Sequence, residues 1–158
     1  MLDIFTVAFF GHRYIENTSA VYSSLEENIH KLVKEKEYVD FLVGRNGEFD
    51  VIASSAVLQV KKNYRNDNSS LILVLPYSTS EYRDNKKNFE EYYDDVEISF
   101  AASKTYPKAA IQIRNKEMVN RADLIICCIE DKKGGAYKTI KYAIKQNKQI
   151  INIGKKTI

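Results

Sequence analysis

Three short stretches of this chain carry residue types that hold anions at close range. They are Phe10-Gly11-His12-Arg13, Gly44-Arg45-Asn46-Gly47-Glu48-Phe49-Asp50, and Glu130-Asp131-Lys132-Lys133-Gly134-Gly135-Ala136-Tyr137. Each follows a short apolar run and precedes a stretch with helical spacing. Glycine at such a turn lets a ligand approach the backbone N–H groups, and the helix that follows adds unpaired donors and a partial positive charge. Phosphate is the natural guest, and Arg13 supplies a guanidinium able to clamp it. A glycine pair before a helix also makes a plain turn, but three such junctions at one sheet edge argue for a site. His12 can serve as general base or neutral donor, or simply orient its turn. Glu48 and Asp50 open a helix, where capping and the helix dipole alone favour acidic residues, and Asp50 can also reach a ribose hydroxyl. Lys132 and Lys133 are adequately explained as solvated rim charges.

These turns need a frame that gathers them. Five apolar runs, Ile4 to Phe10, Val39 to Val43, Leu71 to Leu75, Leu124 to Ile129 and Gln149 to Ile153, read as strands, and their near-continuous apolar character suits parallel strands covered on both faces. Val21, Leu25, Ile29, Leu32 and Val33 form one stripe of a helix starting near Asn17 or Thr18, with His30 at its surface or boundary. Further helices are predicted at about Glu48 to Tyr64, Pro107 to Asn120 and Ala136 to Gln146. The pattern predicts one α/β domain over residues 1–158, Rossmann-like and doubly wound. Its sheet is mainly parallel and five-stranded, in the order 3-2-1-4-5, with helices on both faces. In that order the loops after the first, second and fourth strands meet at one crevice beyond the strands' carboxyl ends. The stretch 76–106 is polar, rich in tyrosine and long for a plain connection. It is expected to form an irregular cap or lid, with a short helix near 85–93 and an extended piece near 96–100. Tyr77 is its best-placed ligand contact, and Glu81 is a candidate acid or base beside His12, Glu48 and Asp50.

Composition narrows the function classes. A chain of 158 residues with 44% hydrophobic residues is long enough for one core. The 28% charged residues are near the average of about 25% for globular proteins, so nothing suggests a disordered or fibrous chain. A net charge of +3 with scattered Lys and Arg lacks the footprint of a duplex-binding surface, so nucleic acid is not expected as a partner. The two cysteines, Cys127 and Cys128, are adjacent in an apolar run and point to opposite faces of a strand, which suits buried thiols in a reducing compartment. Met1 to Phe10 is too short for a membrane span and has no basic leader. A cytoplasmic location is expected, with no membrane partner, no metal and no cofactor.

Taken together, the motifs resemble the SLOG superfamily, Rossmann-like proteins that unite the SMF/DprA family with the LOG phosphoribohydrolases. The resemblance spans about 140 residues and is nearest to small stand-alone bacterial members. It rests on Gly11-His12-Arg13 after the first strand and on the turn containing Gly44, Gly47 and Asp50. Pro76-Tyr77 after the third strand, Arg114-Asn115 with Met118-Val119, and Gly134-Gly135 followed by Lys138-Thr139 complete it. The resemblance implies a site containing Gly11, His12, Arg13, Gly44, Asn46, Gly47, Asp50, Pro76, Tyr77, Arg114, Asn115, Gly134, Gly135, Ala136, Tyr137 and Thr139. It implies a nucleotide or nucleotide-derived ligand, of ADP-ribose or cyclic-nucleotide type, either sensed or sequestered, and a homodimer or larger assembly. The alternative it implies is cleavage of an N-glycosidic bond. The LOG hydrolases, however, place catalytic glutamates after the double glycine, where this chain has Ile140 and Lys141. Nucleoside deoxyribosyltransferases, which the C-terminal third is similar to in outline, also carry a glutamate on that helix. Single-stranded DNA binding, by analogy with DprA, finds no support in the charge pattern.

Overall fold

The alternation of short apolar runs with amphipathic stretches builds a single parallel sheet between two helical layers. A computed structural model describes residues 1–154, so the last four residues of the expected 1–158 domain lie outside the described residues. The elements are β1 (Ile4–Gly11), α1 (Thr18–Glu35), β2 (Tyr38–Val43), α2 (Glu48–Asn63), β3 (Ser69–Leu75), α3 (Ser80–Asp84), α4 (Lys86–Tyr92), β4 (Asp95–Ile98), α5 (Phe100–Ser103), α6 (Pro107–Arg121), β5 (Leu124–Cys128), α7 (Gly135–Lys145) and β6 (Gln149–Asn152). The sheet has six strands in the order β4-β3-β2-β1-β5-β6. Every neighbouring pair is parallel.

The five expected strands keep their expected order, and the sixth corrects the count. β4 comes from the 76–106 stretch and pairs with β3 from Ile72↔Asp95 to Leu75↔Ile98. Asp95 and Glu97 interrupt its apolar pattern, which an edge strand tolerates because it has a neighbour on one side only. The stretch expected as an irregular lid is therefore an ordered crossover through α3 and α4, followed by α5. Three of its aromatic residues pack inward, while Tyr92, Phe100 and Tyr106 stay exposed. Phe89 and Tyr93 are buried in the core, and Tyr82 lies against them with its ring 5.5 Å from that of Phe89.

Successive side chains in a strand point to opposite faces, and this divides the core into two. On the α1/α2 side, Val7, Phe9, Phe41, Leu73 and Ile126 meet Val21, Leu25, Ile29, Ala53 and Val57. On the α6/α7 side, Ala8, Phe10, Leu42, Ile125 and Cys127 meet Met118, Val119, Ile140 and Ala143. Phe9 stacks on Phe41 with ring centroids 5.9 Å apart and also approaches Phe49 on α2 at 6.5 Å. Full burial of one such side chain stabilises by about 1.5–3 kcal/mol. Asn17 caps α1, its Oδ1 accepting the Ala20 N–H at 3.2 Å, which is why the helix starts where the sequence places it. Among the described residues, no helix is long and apolar enough to cross a membrane.

Candidate functional site

The strand order reverses between β1 and β5, because β1 leads on one side to β2 and on the other to the late strand β5. Open α/β sheets leave a crevice beyond the carboxyl ends of the strands at such a point. Here it is a cavity of about 610 Å³. Its walls are the loop after β1 (Gly11, His12, Arg13), the loop after β2 with the start of α2 (Gly44, Asn46, Gly47, Asp50), the start of α7 (Gly134, Gly135, Ala136) and the inner face of α6 (Arg114, Asn115). The structure thus brings together twelve of the expected site residues.

The loops are held in contact by short backbone distances. A Cβ built on Gly47 would lie 2.6 Å from the Arg13 Cα, so only glycine lets the two loops touch. The Glu48 N–H donates to the Arg13 carbonyl at 2.9 Å, and the Glu48 carboxylate accepts the Ile15 N–H at 2.7 Å. Glu48 therefore braces the β1–α1 loop and does not line the cavity. His12 braces it from the other side. Its Nε2 accepts the N–H groups of Glu130 and Asp131 at 2.9 and 3.0 Å, which leaves that nitrogen no lone pair for taking a proton from a ligand.

Two helices open toward the cavity with glycine at the N-cap. Neither Gly47, before α2, nor Gly134, before α7, provides a side-chain cap, unlike Asn17 before α1. First-turn N–H groups lack partners within their own helix, so these two starts present donors and positive dipole ends to the cavity. Gly134 holds φ at 94°, a left-handed conformation that other residues adopt only with strain. Arg13 is exposed on the cavity wall, and its guanidinium makes no hydrogen bond or ion pair among the described residues. It is free to meet a ligand.

Beneath the loops runs a buried polar network. Arg114, only 2% exposed, donates from Nη1 to the Val74 carbonyl at 2.9 Å, from Nη2 to Asn46 Oδ1 at 2.7 Å and from Nε to Asn115 Oδ1 at 3.0 Å. Asn115 Nδ2 then donates to Thr139 Oγ1 at 3.0 Å, and that hydroxyl donates to the Gly135 carbonyl at 3.0 Å. The chain of bonds runs from the end of β3 through α6 to the first turn of α7. Arg114 and Thr139 are both tied into this network; Arg114 also lines the cavity, and Thr139 lies outside its wall.

Asp50 sits where this network meets the cavity. Its Oδ2 accepts the Asn46 N–H at 2.8 Å, and a Cβ on Gly44 would lie 3.1 Å from both Asp50 Oδ2 and Arg114 Nη1. Burial pushes the Asp50 carboxyl above the usual carboxylate range, against the opposing pull of the Asn46 N–H and of Arg114. Burial also lowers the Arg114 pKa, with Asp50 pulling the other way.

The remaining expected residues lie elsewhere. Pro76 and Tyr77 sit at the end of β3 but do not line the cavity, nor does any residue of 76–106. Tyr137 is half-buried on α7 beneath the Lys141 ammonium. Glu81 pairs with Arg45, whose guanidinium also donates to the Tyr93 hydroxyl and lies 4.8 Å from the Phe89 ring centroid. This removes Glu81 from the candidate acids and bases. Cavity residues missing from the expected set include Glu16, Ile111, Gln112, Met118, Glu130, Asp131 and Lys133. The signal for α6 was visible in the sequence, since polar Asn115 interrupts the stripe of Ile111 and Met118. Among the described residues, no group of three or more His, Cys, Asp or Glu side chains is gathered to hold a metal ion.

Two solved structures share the fold. DNA processing protein A (DprA) from Streptococcus pneumoniae matches with a TM-score of 0.66 at 19% identity, covering 93% of this chain and 49% of that one. DNA processing protein A from Helicobacter pylori, described with a single-stranded DNA binding mode, matches with a TM-score of 0.66 at 18% identity, covering 92% of this chain and 63% of that one. This chain therefore spans between about half and five-eighths of the proteins it resembles. The second match overturns the expectation that nucleic acid is not a partner: a protein of this fold binds single-stranded DNA, so a modest, scattered charge does not exclude that class. No curated protein matches the chain. A family model matches residues 6–158, from within β1 onward, and on that match the chain belongs to the YspA SLOG family.

Proposed function

We propose that this protein binds a phosphate-bearing, nucleotide-derived ligand in the cavity above β1, β2 and β5, as a sensor or sequestering module. The observation that carries this reading is the convergence on one cavity of two glycine-started helices without side-chain caps and of the Arg13 guanidinium, unpaired among the described residues. Backbone donors, a dipole end and a fork of N–H groups together suit a phosphoryl group. The cavity is of the size that holds small ligands, roughly 300–1,000 Å³. Among its remaining walls, the partly exposed Ile111 supplies apolar surface for a base or sugar face.

One observation favours a second reading, cleavage of the ligand's N-glycosidic bond. Asp50 is a carboxylate in the cavity wall whose pKa is raised by burial, the setting in which general acids are found. Against it, α7 offers the cavity no carboxylate, since Ile140 is buried in the core and Lys141 faces outward.

The experiment is to equilibrate the purified protein with a panel of nucleotides and dinucleotides, remove unbound material, denature the protein and analyse what it releases by mass spectrometry. Intact ligand supports the binding module, and free base with a released sugar phosphate supports hydrolysis. Retention of no nucleotide, with a labelled single-stranded oligonucleotide bound in a fluorescence anisotropy titration, overturns both.

A further inference from the structure

Gly44 and Asp50 line a second chamber besides the main cavity. It measures about 20 Å³ and is lined further by Arg45, Val51, Ser54, Tyr92 and Tyr93. A water molecule needs roughly 10–15 Å³ of such space and two to four polar partners.

The partners are present. Ser54 is 2% exposed, and its hydroxyl has no hydrogen-bond partner among the described residues. Serine inside a helix commonly bonds back to the carbonyl four residues earlier; Ser54 does not. A buried hydroxyl left unpaired in a native protein calls for an explanation, and a bound water is one that such a group admits. The Tyr93 hydroxyl is also buried. Its oxygen accepts from Arg45 Nη1 at 3.1 Å, so its own proton remains to be donated. Asp50 receives one N–H, from Asn46 at Oδ2, whereas a carboxylate offers about four lone-pair sites. Two hydroxyl donors and one acceptor thus surround a space the size of one water.

We propose that this chamber binds a single ordered water, which accepts from the Ser54 and Tyr93 hydroxyls and donates to the Asp50 carboxylate. The water joins the 76–106 crossover to the cavity loop. On one side the path runs through Tyr93 and Arg45 to Glu81 on α3, and on the other through Asp50 and Asn46 to Arg114. The stretch that does not cover the cavity is in this way hydrogen-bonded to its wall from behind. The water site does not depend on which ligand the main cavity takes.

The test is a double-mutant cycle in urea unfolding together with a high-resolution crystal structure. A dry chamber makes Ser54→Ala neutral or stabilising, because it only removes an unpaired hydroxyl. A bound water makes the same change lower the folding equilibrium constant roughly fivefold, through loss of a hydrogen bond. In a Tyr93→Phe background, where the water has already lost a donor, Ser54→Ala lowers it less than about twofold, since two partners of one water do not act additively. Crystals of the parent protein show density within hydrogen-bond reach of both hydroxyl oxygens, and Ser54→Ala crystals lack it. Ser54→Ala without loss of stability, effects of the two changes that simply multiply, or a chamber without density each overturns the proposal. Should Tyr93→Phe fail to fold, the sign of the Ser54→Ala effect and the density still decide.

Discussion

Arg114 Nη2 donates to Asn46 Oδ1 at 2.7 Å, so a buried cation on α6 positions the loop that follows β2. The same guanidinium holds the end of β3 through the Val74 carbonyl and orients Asn115 toward α7. The cavity wall is therefore fixed from inside the core.

Arg114→Met is expected to destabilise the fold by about 3 kcal/mol, because it strands three acceptors that Arg114 now satisfies. Arg114→Lys, with one ammonium in place of a fork, is expected to recover only part of that loss. Urea unfolding of the three proteins measures it, and an Arg114→Met protein within about 0.5 kcal/mol of the parent would show that the network is incidental.

The Arg13 guanidinium makes no hydrogen bond or ion pair among the described residues, and its substitution should separate binding from folding. Arg13→Glu is expected to lower affinity for a phosphate-bearing ligand by at least about tenfold, the loss of one charge-assisted hydrogen bond. Stability is expected to stay within about 0.5 kcal/mol, as for other exposed positions. Calorimetric titration with the ligand recovered from the panel reports the first quantity and thermal unfolding the second. An affinity changed by less than about threefold, under 1 kcal/mol, removes Arg13 from the phosphate subsite.

Asp50 links stability to pH with a defined sign. Burial raises its folded pKa above the ordinary carboxylate value, so the folded state binds this proton more tightly than the unfolded chain does. The stability tied to Asp50 is complete below the unfolded carboxylate pKa and is lost as pH rises through the raised folded pKa. Asp50→Asn, which keeps an acceptor for the Asn46 N–H, removes that loss. The stability difference between Asp50→Asn and the parent is expected to shift in favour of the variant from pH 4 to pH 7. Unfolding curves across that range giving a constant difference would contradict the burial of the carboxyl.

Cys127 and Cys128 face opposite sides of β5 and are both buried. Burial pushes the Cys127 thiol up to about 12, with Cys128 adding to the shift, and the Cys128 thiol up to about 11, with Glu130 adding to it. The thiolate is the reactive form, so labelling by a disulfide reagent at pH 8 is expected to be slow and to follow the unfolding transition as urea is added. Rapid modification of both thiols in the native protein would contradict this placement.

The five main strands, the start of α1, the bounds of α2, α6 and α7 to within about one residue and the three glycine turns are legible in the sequence, because each depends on residues that are close in the chain, and the strand order is the common one for such a pattern. Apolar runs mark strands covered on both faces, stripes at helical spacing mark the helices, and a glycine before a helix marks a turn wherever the chain later goes. Belonging to one cavity was also legible, since the order 3-2-1-4-5 forces the three turns to one end of the sheet. Tertiary structure decided what each polar residue in those turns does. Glu48, His12, Arg114 and Thr139 have the residue types of a binding site, yet each is spent on a backbone or side-chain partner distant in the chain. No local pattern encodes such a partner, because it exists only once β3, α6 and α7 have packed. The 76–106 stretch is the same case. The sequence marks a brief extended piece near 96–100 but, short and polar as it is, not a strand of the main sheet; it becomes one over Asp95–Ile98 because β3 leaves an unpaired edge beside it and Tyr82, Phe89 and Tyr93 before it have a core to enter.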